Sequence, residues 1–321
     1  MKITFLIINF ILSILSCVLI PFSGLFMPLF FLLSTSLFIL LSVKNSVIYS
    51  LFSSAFSVII LYFLSDSVFI STVFPLTSLF SAVGIYFALK LKKDFKTTLL
   101  SGTLGYFILI AVIYFIYGGN FIADAIGLLQ TIFFESIDTL SASLPSGADV
   151  SMISEIKNVY KLFFENLKVL IPSLVLSFIF LLSYFSIKIG SHFAKDKTFF
   201  SNLPEFSKTH APFVILLVGA IAYMGQLSEN AFIAGLMSNL FMVISVYYTL
   251  CGFSLLDFLI KRKTISLIGR VFIILAIIIA LTLLSMFMPF ANPVLLAMFA
   301  GVMDTVFNYR LRATSAPKNR T

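Results

Sequence analysis

The sequence predicts an all-α fold, a polytopic transmembrane helical bundle of about ten spans with both ends on the cytoplasmic side. Three observations predict it. The chain of 321 residues is 60% hydrophobic and only 11% charged, with a mean hydropathy of +1.12, whereas soluble domains run near 45–50% apolar and about 25% charged. Its long uncharged runs recur at the spacing that bilayer thickness sets. Its basic residues fall on alternate turns between those runs.

A helix crosses roughly 30 Å of hydrocarbon in about 20 residues. The first five expected spans are Ile3–Ile20, Gly24–Val43, Ser46–Ser65, Val73–Leu91 and Leu99–Gly118. Five more follow a polar interval, at Leu167–Ile189, Ala211–Leu227, Ala231–Ile260, Ile268–Met288 and Pro293–Tyr309. The chain is thereby expected to divide into a membrane half at 1–118, an external amphipathic segment at 119–166, and a membrane half with a short basic tail at 167–321. Of Pro28, Pro75, Pro172 and Pro293, most sit near expected span beginnings, where a missing N–H costs little, so no broken-helix site is expected from them.

Charge orients the spans. From a cytoplasmic N-terminus, Lys2, Lys44, Lys90, Lys92, Lys93 and Lys96 fall inside, followed by Lys188, Lys195, Lys197 and Lys208. Lys261, Arg262, Lys263, Arg270, Arg310, Arg312, Lys318 and Arg320 complete 18 of the 21 basic residues. The other three, Lys157, Lys161 and Lys168, lie in or beside the external segment. The reverse topology would contradict the positive-inside bias. The net charge of +8 therefore reads as orientation and attraction to anionic inner-leaflet lipid. It does not read as nucleic-acid binding, because the basic residues cluster at helix ends. Lys2, an apolar run and Ser16-Cys17 have the outline of a lipoprotein signal, but the hydrophobic stretch resumes at once and an uncleaved first helix is expected. Cys251 lies within a span, so the two cysteines imply no disulfide framework.

In the external segment, Phe121–Phe134 is apolar enough to lie in the interface, Leu144-Pro145-Ser146-Gly147 makes a turn, and Ile153, Ile156, Tyr160, Phe163 and Leu167 repeat at helical spacing. An amphipathic helix feeding directly into the sixth span is expected, with Lys161 and Glu165 placed to pair. It packs on the bundle rim or, alternatively, forms a lid or docks an envelope partner. The inner loop Ser191–His210, which holds both histidines, is expected to be a solvated connector.

No phosphate-binding glycine loop, His-Glu-x-x-His motif or Gly-x-Ser-x-Gly elbow occurs, which points away from an enzyme and from ATP hydrolysis by this chain. No cofactor motif occurs either. What remains is polar groups within apolar runs, which are costly in lipid. Asp304 stands first. Ala297, Ala300 and Gly301 precede it by seven, four and three residues, so all share one helix face that admits a close neighbour. Asn308 continues that face, and the basic end at Arg310 lies about 9 Å of rise beyond Asp304. A packing hydrogen bond or ion pair and a ligand or proton site are both open for Asp304. Asp257 sits four residues before Lys261, where a salt bridge is expected. Tyr223, Gln226 and Asn239, with Glu229, Asn230 and Ser238, form a second candidate group near the external turn between the seventh and eighth spans, lining a cavity or making turn contacts and an interhelical amide bond.

Gln226, Asn239, Gly252 and Asp257 before a basic turn, with Gly301-x-x-Asp304 leading to Arg310, resemble the YybS-like family of bacterial membrane proteins (domain of unknown function 2232). The resemblance extends over essentially the whole length. That family is distantly similar to the substrate-binding subunits of energy-coupling-factor transporters, although those subunits are about half this length, and Ser13-x-x-x-Cys17 stands where they carry an Ala-x-x-x-Ala stripe. The resemblance implies a transport-related subunit of a bacterial cytoplasmic membrane whose partners are the lipid bilayer, a coupling subunit and ATPases. The expectation from another class is a scaffold for envelope or division proteins.

Overall fold

The computed structural model describes residues 2–117, 120–142, 150–194, 196, 199–201, 205–263, 265–310 and 312. Among these residues the chain is helical, with eleven α-helices and three short 3-10 turns. The helices are α1 (Lys2–Leu19), α2 (Met27–Lys44), α3 (Val47–Ser65), α4 (Val68–Lys90), α5 (Phe95–Tyr117), α6 (Asn120–Ala142), α7 (Val150–Ala194), α8 (Phe213–Gly225), α9 (Ala231–Lys261), α10 (Leu267–Ser285) and α11 (Pro293–Phe307). The expected turn at Leu144–Gly147 and the tail at 313–321 lie outside the described residues.

Short polar side chains start several of the helices. Ser46, Ser67, Asn230, Ser266 and Asn292 each accept a hydrogen bond from a first-turn N–H, satisfying donors that the helix itself cannot. Pro293 follows Asn292 at the first helical position, where its fixed φ fits.

By length and composition, α2, α3, α4, α7 and α9 can each cross a membrane, and shorter apolar helices occur at Ile3–Leu19, Phe213–Gly225, Gly269–Ser285 and Pro293–Phe307. The distribution of polarity identifies the solvent. On α3, Ser50, Ser53, Ser54 and Ser57 are fully buried, while Leu51, Phe52, Phe56, Ile59 and Phe63 are exposed, Phe63 by 81%. A water-soluble helix is the reverse of this. Only an apolar solvent makes it stable, and the inward serines let the helices approach closely. The chain is therefore embedded in a membrane.

The described residues fall into two compact units, one of Met1–Lys168 with Val175–Leu203 and one of Val169–Leu174 with Pro204–Thr321. The 166/167 boundary expected from sequence lies inside the unbroken helix α7. Hydroxyls join the helices of the first unit: Ser13 to Ser53 at 2.5 Å, Ser34 to Ser78 at 2.8 Å, Ser42 to Ser50 at 2.8 Å, and Thr35 to the buried Tyr106 hydroxyl at 2.6 Å. In the same unit Phe133 of α6 packs against Tyr160 of α7, with ring centroids 4.3 Å apart, and Lys157 pairs with Asp138. Phe164, outside the expected apolar stripe, is the ring buried here, while Phe163 of the stripe is exposed.

Two prolines depart from expectation. Pro75 and Pro172 lie inside α4 and α7, because both helices begin upstream of the apolar runs from which the spans were drawn. In α7 the amphipathic stretch is helical and continuous with the span, so Pro172 falls mid-helix.

In the second unit α9 packs against α11 and α8, around a core of Ala211, Ile244, Tyr248 and Cys251. Gly252 and Gly301 set the α9–α11 distance. A Cβ at Gly252 would stand 1.8 Å from the Ala297 carbonyl oxygen, and one at Gly301 would stand 2.2 Å from that of Tyr248. No side chain fits at either point.

Candidate functional site

The site lies in the second unit, where α11 ends. Its small-residue face, Ala297 to Gly301, brings α11 against α9 and carries Asp304 into the packed region, where its side chain is 4% exposed. The helix stops at Phe307 because Asn308 takes a left-handed conformation (φ 50°), its N–H bonding back to the Asp304 carbonyl. On a continued helix Arg310 would lie about 9 Å further along the axis. The reversal at Asn308 instead returns its guanidinium to Asp304, with Nε 2.8 Å from Oδ2.

Arg310 is held from several sides. Its Nη1 donates to the Ser207 carbonyl at 2.8 Å and to the Ser254 hydroxyl at 3.0 Å, and its Nη2 donates to the Cys251 carbonyl at 3.1 Å. The guanidinium also lies 5.9 Å from the centre of the Phe258 ring, a cation–π distance. A planar, permanently charged fork suits such a position. Oδ1 of Asp304 is buried and accepts no hydrogen bond.

The same contacts correct the reading of the inner loop. Its described end, 205–210, is no solvated connector. Ser254 Oγ donates to the carbonyls of Phe206 (2.5 Å) and Thr209 (2.8 Å), Tyr247 Oη to that of His210, and Thr305 Oγ1 to that of Ala211. Ser207 is buried. Outside the membrane helices, Glu205 pairs with Lys261, and that contact holds its carboxyl below the usual carboxylate range. Lys261 is thus engaged elsewhere than expected. Asp257 instead pairs with Arg270 at the start of α10, Nη1 to Oδ1 at 2.7 Å, both side chains nearly buried.

Between loop and helices lies a cavity of about 310 Å³, lined by Ser207, Lys208, His210, Ala211, Phe258, Asp304, Thr305, Asn308 and Arg310. Of the residues chosen from sequence, it joins Asp304 and Asn308. Asp257 does not line it and pairs with Arg270.

Tyr223, Gln226 and Asn239 do not line that cavity, and each makes contacts of its own. Tyr223 is exposed and packs on Phe241, ring centroids 5.5 Å apart. Gln226 ends α8 through its backbone N–H. Asn239 bonds to α7: its Nδ2 donates to the Val169 carbonyl (2.8 Å) and its Oδ1 accepts from the Ser173 N–H (3.0 Å). Those two backbone groups are four residues apart, the pair that an uninterrupted helix joins to each other. The amide thus bridges one turn of α7 beside Pro172, whose ring removes one helical bond and crowds the preceding turn.

Sequence reasoning missed Ser254, Thr305, Tyr247 and Phe258. The last three look like ordinary span residues. Ser254 sits three residues before Asp257 in an otherwise apolar stretch, and that spacing was its one visible sign.

No curated protein and no solved structure shows significant similarity to the chain. A family model described as "Predicted membrane protein (DUF2232)" matches residues 7–305, which takes in all eleven helices at least in part, and the chain belongs to that family.

Proposed function

We propose that this membrane protein is a small-molecule-binding, transport-related subunit that relies on an ATPase outside its own chain. The observation that carries the reading is the cavity of about 310 Å³ beside the buried Asp304–Arg310 pair. Ligand pockets range over roughly 300–1,000 Å³ and are mostly apolar with a few convergent polar groups. Intramembrane charge is costly and by default marks function. The basic turns favour ten spans in a bacterial cytoplasmic membrane, with Lys2 and Arg310 on the cytoplasmic side, so the cavity opens toward the cytoplasm.

The test is gentle affinity purification from native membranes, with mass spectrometry of copurifying proteins and small molecules. Recovery of a coupling subunit with ATPases, or of a small molecule lost from a folded Asp304→Leu variant, supports the reading. Recovery of envelope-synthesis or division proteins with neither ligand nor ATPase overturns it.

One observation favours a scaffold as the second reading. Helix α7 has 45 residues and spans about 67 Å at ~1.5 Å per residue, more than twice the ~30 Å hydrocarbon core. Its N-terminal part with α6 leaves Leu129, Ile132, Val159 and Leu162 exposed, an apolar surface for an envelope partner. Deleting 119–165 abolishes partner capture under this reading and spares small-molecule uptake under the first.

A further inference from the structure

We infer that the turn between α4 and α5, in the first unit, docks an anionic phospholipid of the surrounding leaflet. Lys90, Lys92, Lys93 and Lys96 hold its phosphate, and its acyl chains lie along Phe87 and Leu91. The inference is independent of the cavity and of the binding reading above.

Charge comes first. Four lysines stand within residues 90–96 against one aspartate, and all four are exposed. Asp94 is engaged at the start of α5, where it accepts from the Thr97 N–H at 3.2 Å and from the Thr97 hydroxyl. Among the described residues Lys90, Lys93 and Lys96 form no salt bridge. A fifth cation stands at the same end, since Lys188 Nζ lies 5.2 Å from the centre of the Phe95 ring. Clusters of this size beside a membrane helix suit anionic headgroups.

The backbone adds a second observation. The N–H groups of Lys92 and Lys93 bond back to the carbonyls of Leu89 (2.9 Å) and Ala88 (3.0 Å), closing α4, and Lys92 takes a left-handed conformation (φ 51°). Glycine is the usual residue at that point of such a cap, and a side chain there is strained. Strain held in this way points to a function, and an ammonium is what glycine would lack.

Placement identifies the partner. Phe80, Phe87 and Leu91 follow one another at helical offsets of seven and four residues, so they share a face of α4, and all three are exposed, Leu91 by 67%. In a membrane-embedded chain that face meets acyl chains. Leu91 carries it into the lysine turn, and Tyr86, whose ring lies 5.9 Å from Lys90 Nζ, sits one helical turn before Lys90, the level at which tyrosine is enriched. The lysines therefore stand where apolar chain gives way to phosphate. A soluble polyanion has no use for the apolar row, whereas a phospholipid matches both parts.

The test adds dioctanoyl phosphatidylglycerol and dioctanoyl phosphatidylcholine at equal concentration to full-length protein in a non-ionic detergent, and counts bound lipid by native mass spectrometry. At about fivefold for each engaged lysine, the anionic lipid should bind about tenfold or more tighter, and the preference should weaken with added salt. Lys90→Gln, Lys93→Gln and Lys96→Gln together should abolish it. Lys157→Gln, Lys161→Gln and Lys168→Gln, the same loss of charge elsewhere, should leave it intact. Lys92→Gly should weaken phosphatidylglycerol about fivefold while elution and helical content hold, because glycine suits the left-handed position. Equal binding of the two lipids overturns the inference. So does an equal loss in both triple variants, which would reduce the preference to net charge. Tighter binding of glycerol 3-phosphate than of phosphatidylglycerol overturns it in favour of free phosphate, and tighter binding of polyglutamate overturns it in favour of a soluble acidic partner.

Discussion

Replacing Asn239 by Leu removes two bonds from α9 to α7 without opening a void, because the side chains are close in volume. The Ser173 N–H loses an acceptor at 3.0 Å and the Val169 carbonyl loses a donor at 2.8 Å. Interhelical polar contacts in membranes average about 0.6 kcal/mol and reach about 1–2 kcal/mol, and orphaned buried groups cost about 1–3 kcal/mol. The two losses together amount to about 2–4 kcal/mol. At roughly 2–4 °C per kcal/mol for chains of 150–250 residues, the detergent-solubilised protein should melt roughly 5–15 °C lower. Pro172→Ala supplies the control. Without the pyrrolidine ring α7 can close its own turn, so the Asn239→Leu cost in that background should fall below about 1 kcal/mol, and the double-mutant cycle should show coupling well above the ~0.3–0.5 kcal/mol scatter of independent sites. Unchanged melting of Asn239→Leu, or an equal cost in both backgrounds, would refute the view that the amide repairs a proline-disturbed turn.

Gly252→Ala places a methyl 1.8 Å from the Ala297 carbonyl oxygen, forcing α9 and α11 apart. It should cost about 3 kcal/mol or more, at the upper end for overpacking, while Gly127→Ala, with nothing within 4 Å, should cost little by the same melting assay. Asp257→Leu alone strands a nearly buried Arg270 and should cost about 3–5 kcal/mol, whereas Asp257→Leu with Arg270→Leu should recover most of that. The depressed pKa of Glu205 adds stability that is fully present above the unfolded value near 4.5 and lost as pH falls through the lower folded value. Because that side chain is half exposed, the contribution is below about 1 kcal/mol, and the melting difference between wild type and Lys261→Ala should begin to shrink once pH falls below the unfolded value near 4.5. For topology, single cysteines are introduced after Cys17 and Cys251, both buried, are changed to Ser. Lys157→Cys should then react with an impermeant maleimide from outside, and Lys92→Cys and Lys263→Cys only after the membrane is opened. The reverse pattern overturns the inside assignment.

What the sequence disclosed and what it withheld divide along a physical line. Asp304 was legible because a carboxylate inside an apolar run has few tolerable environments, and the small residues at Ala297 and Gly301 marked the face that could bury it. Arg310 was visible only as the end of a span. The reversal that makes it a partner depends on one left-handed residue, Asn308, and asparagine is common enough outside that conformation for its presence to decide nothing. Asp257 was misassigned because the local i+4 neighbour, Lys261, is the default in an isolated helix. The fold offers a guanidinium from the next helix, more weakly hydrated and better suited to a buried pair, and gives Lys261 an exposed carboxylate instead. The docking of loop 205–210 was invisible for a different reason. It rests on backbone carbonyls at Phe206, Ser207, Thr209 and His210 accepting from Ser254, Arg310 and Tyr247, and carbonyls are the same at every residue. Conversely, the Ser50-x-x-Ser53-Ser54-x-x-Ser57 face of α3 was readable at helical spacing. In a lipid solvent small polar residues are packing residues, and that face lies in the interior of the first unit.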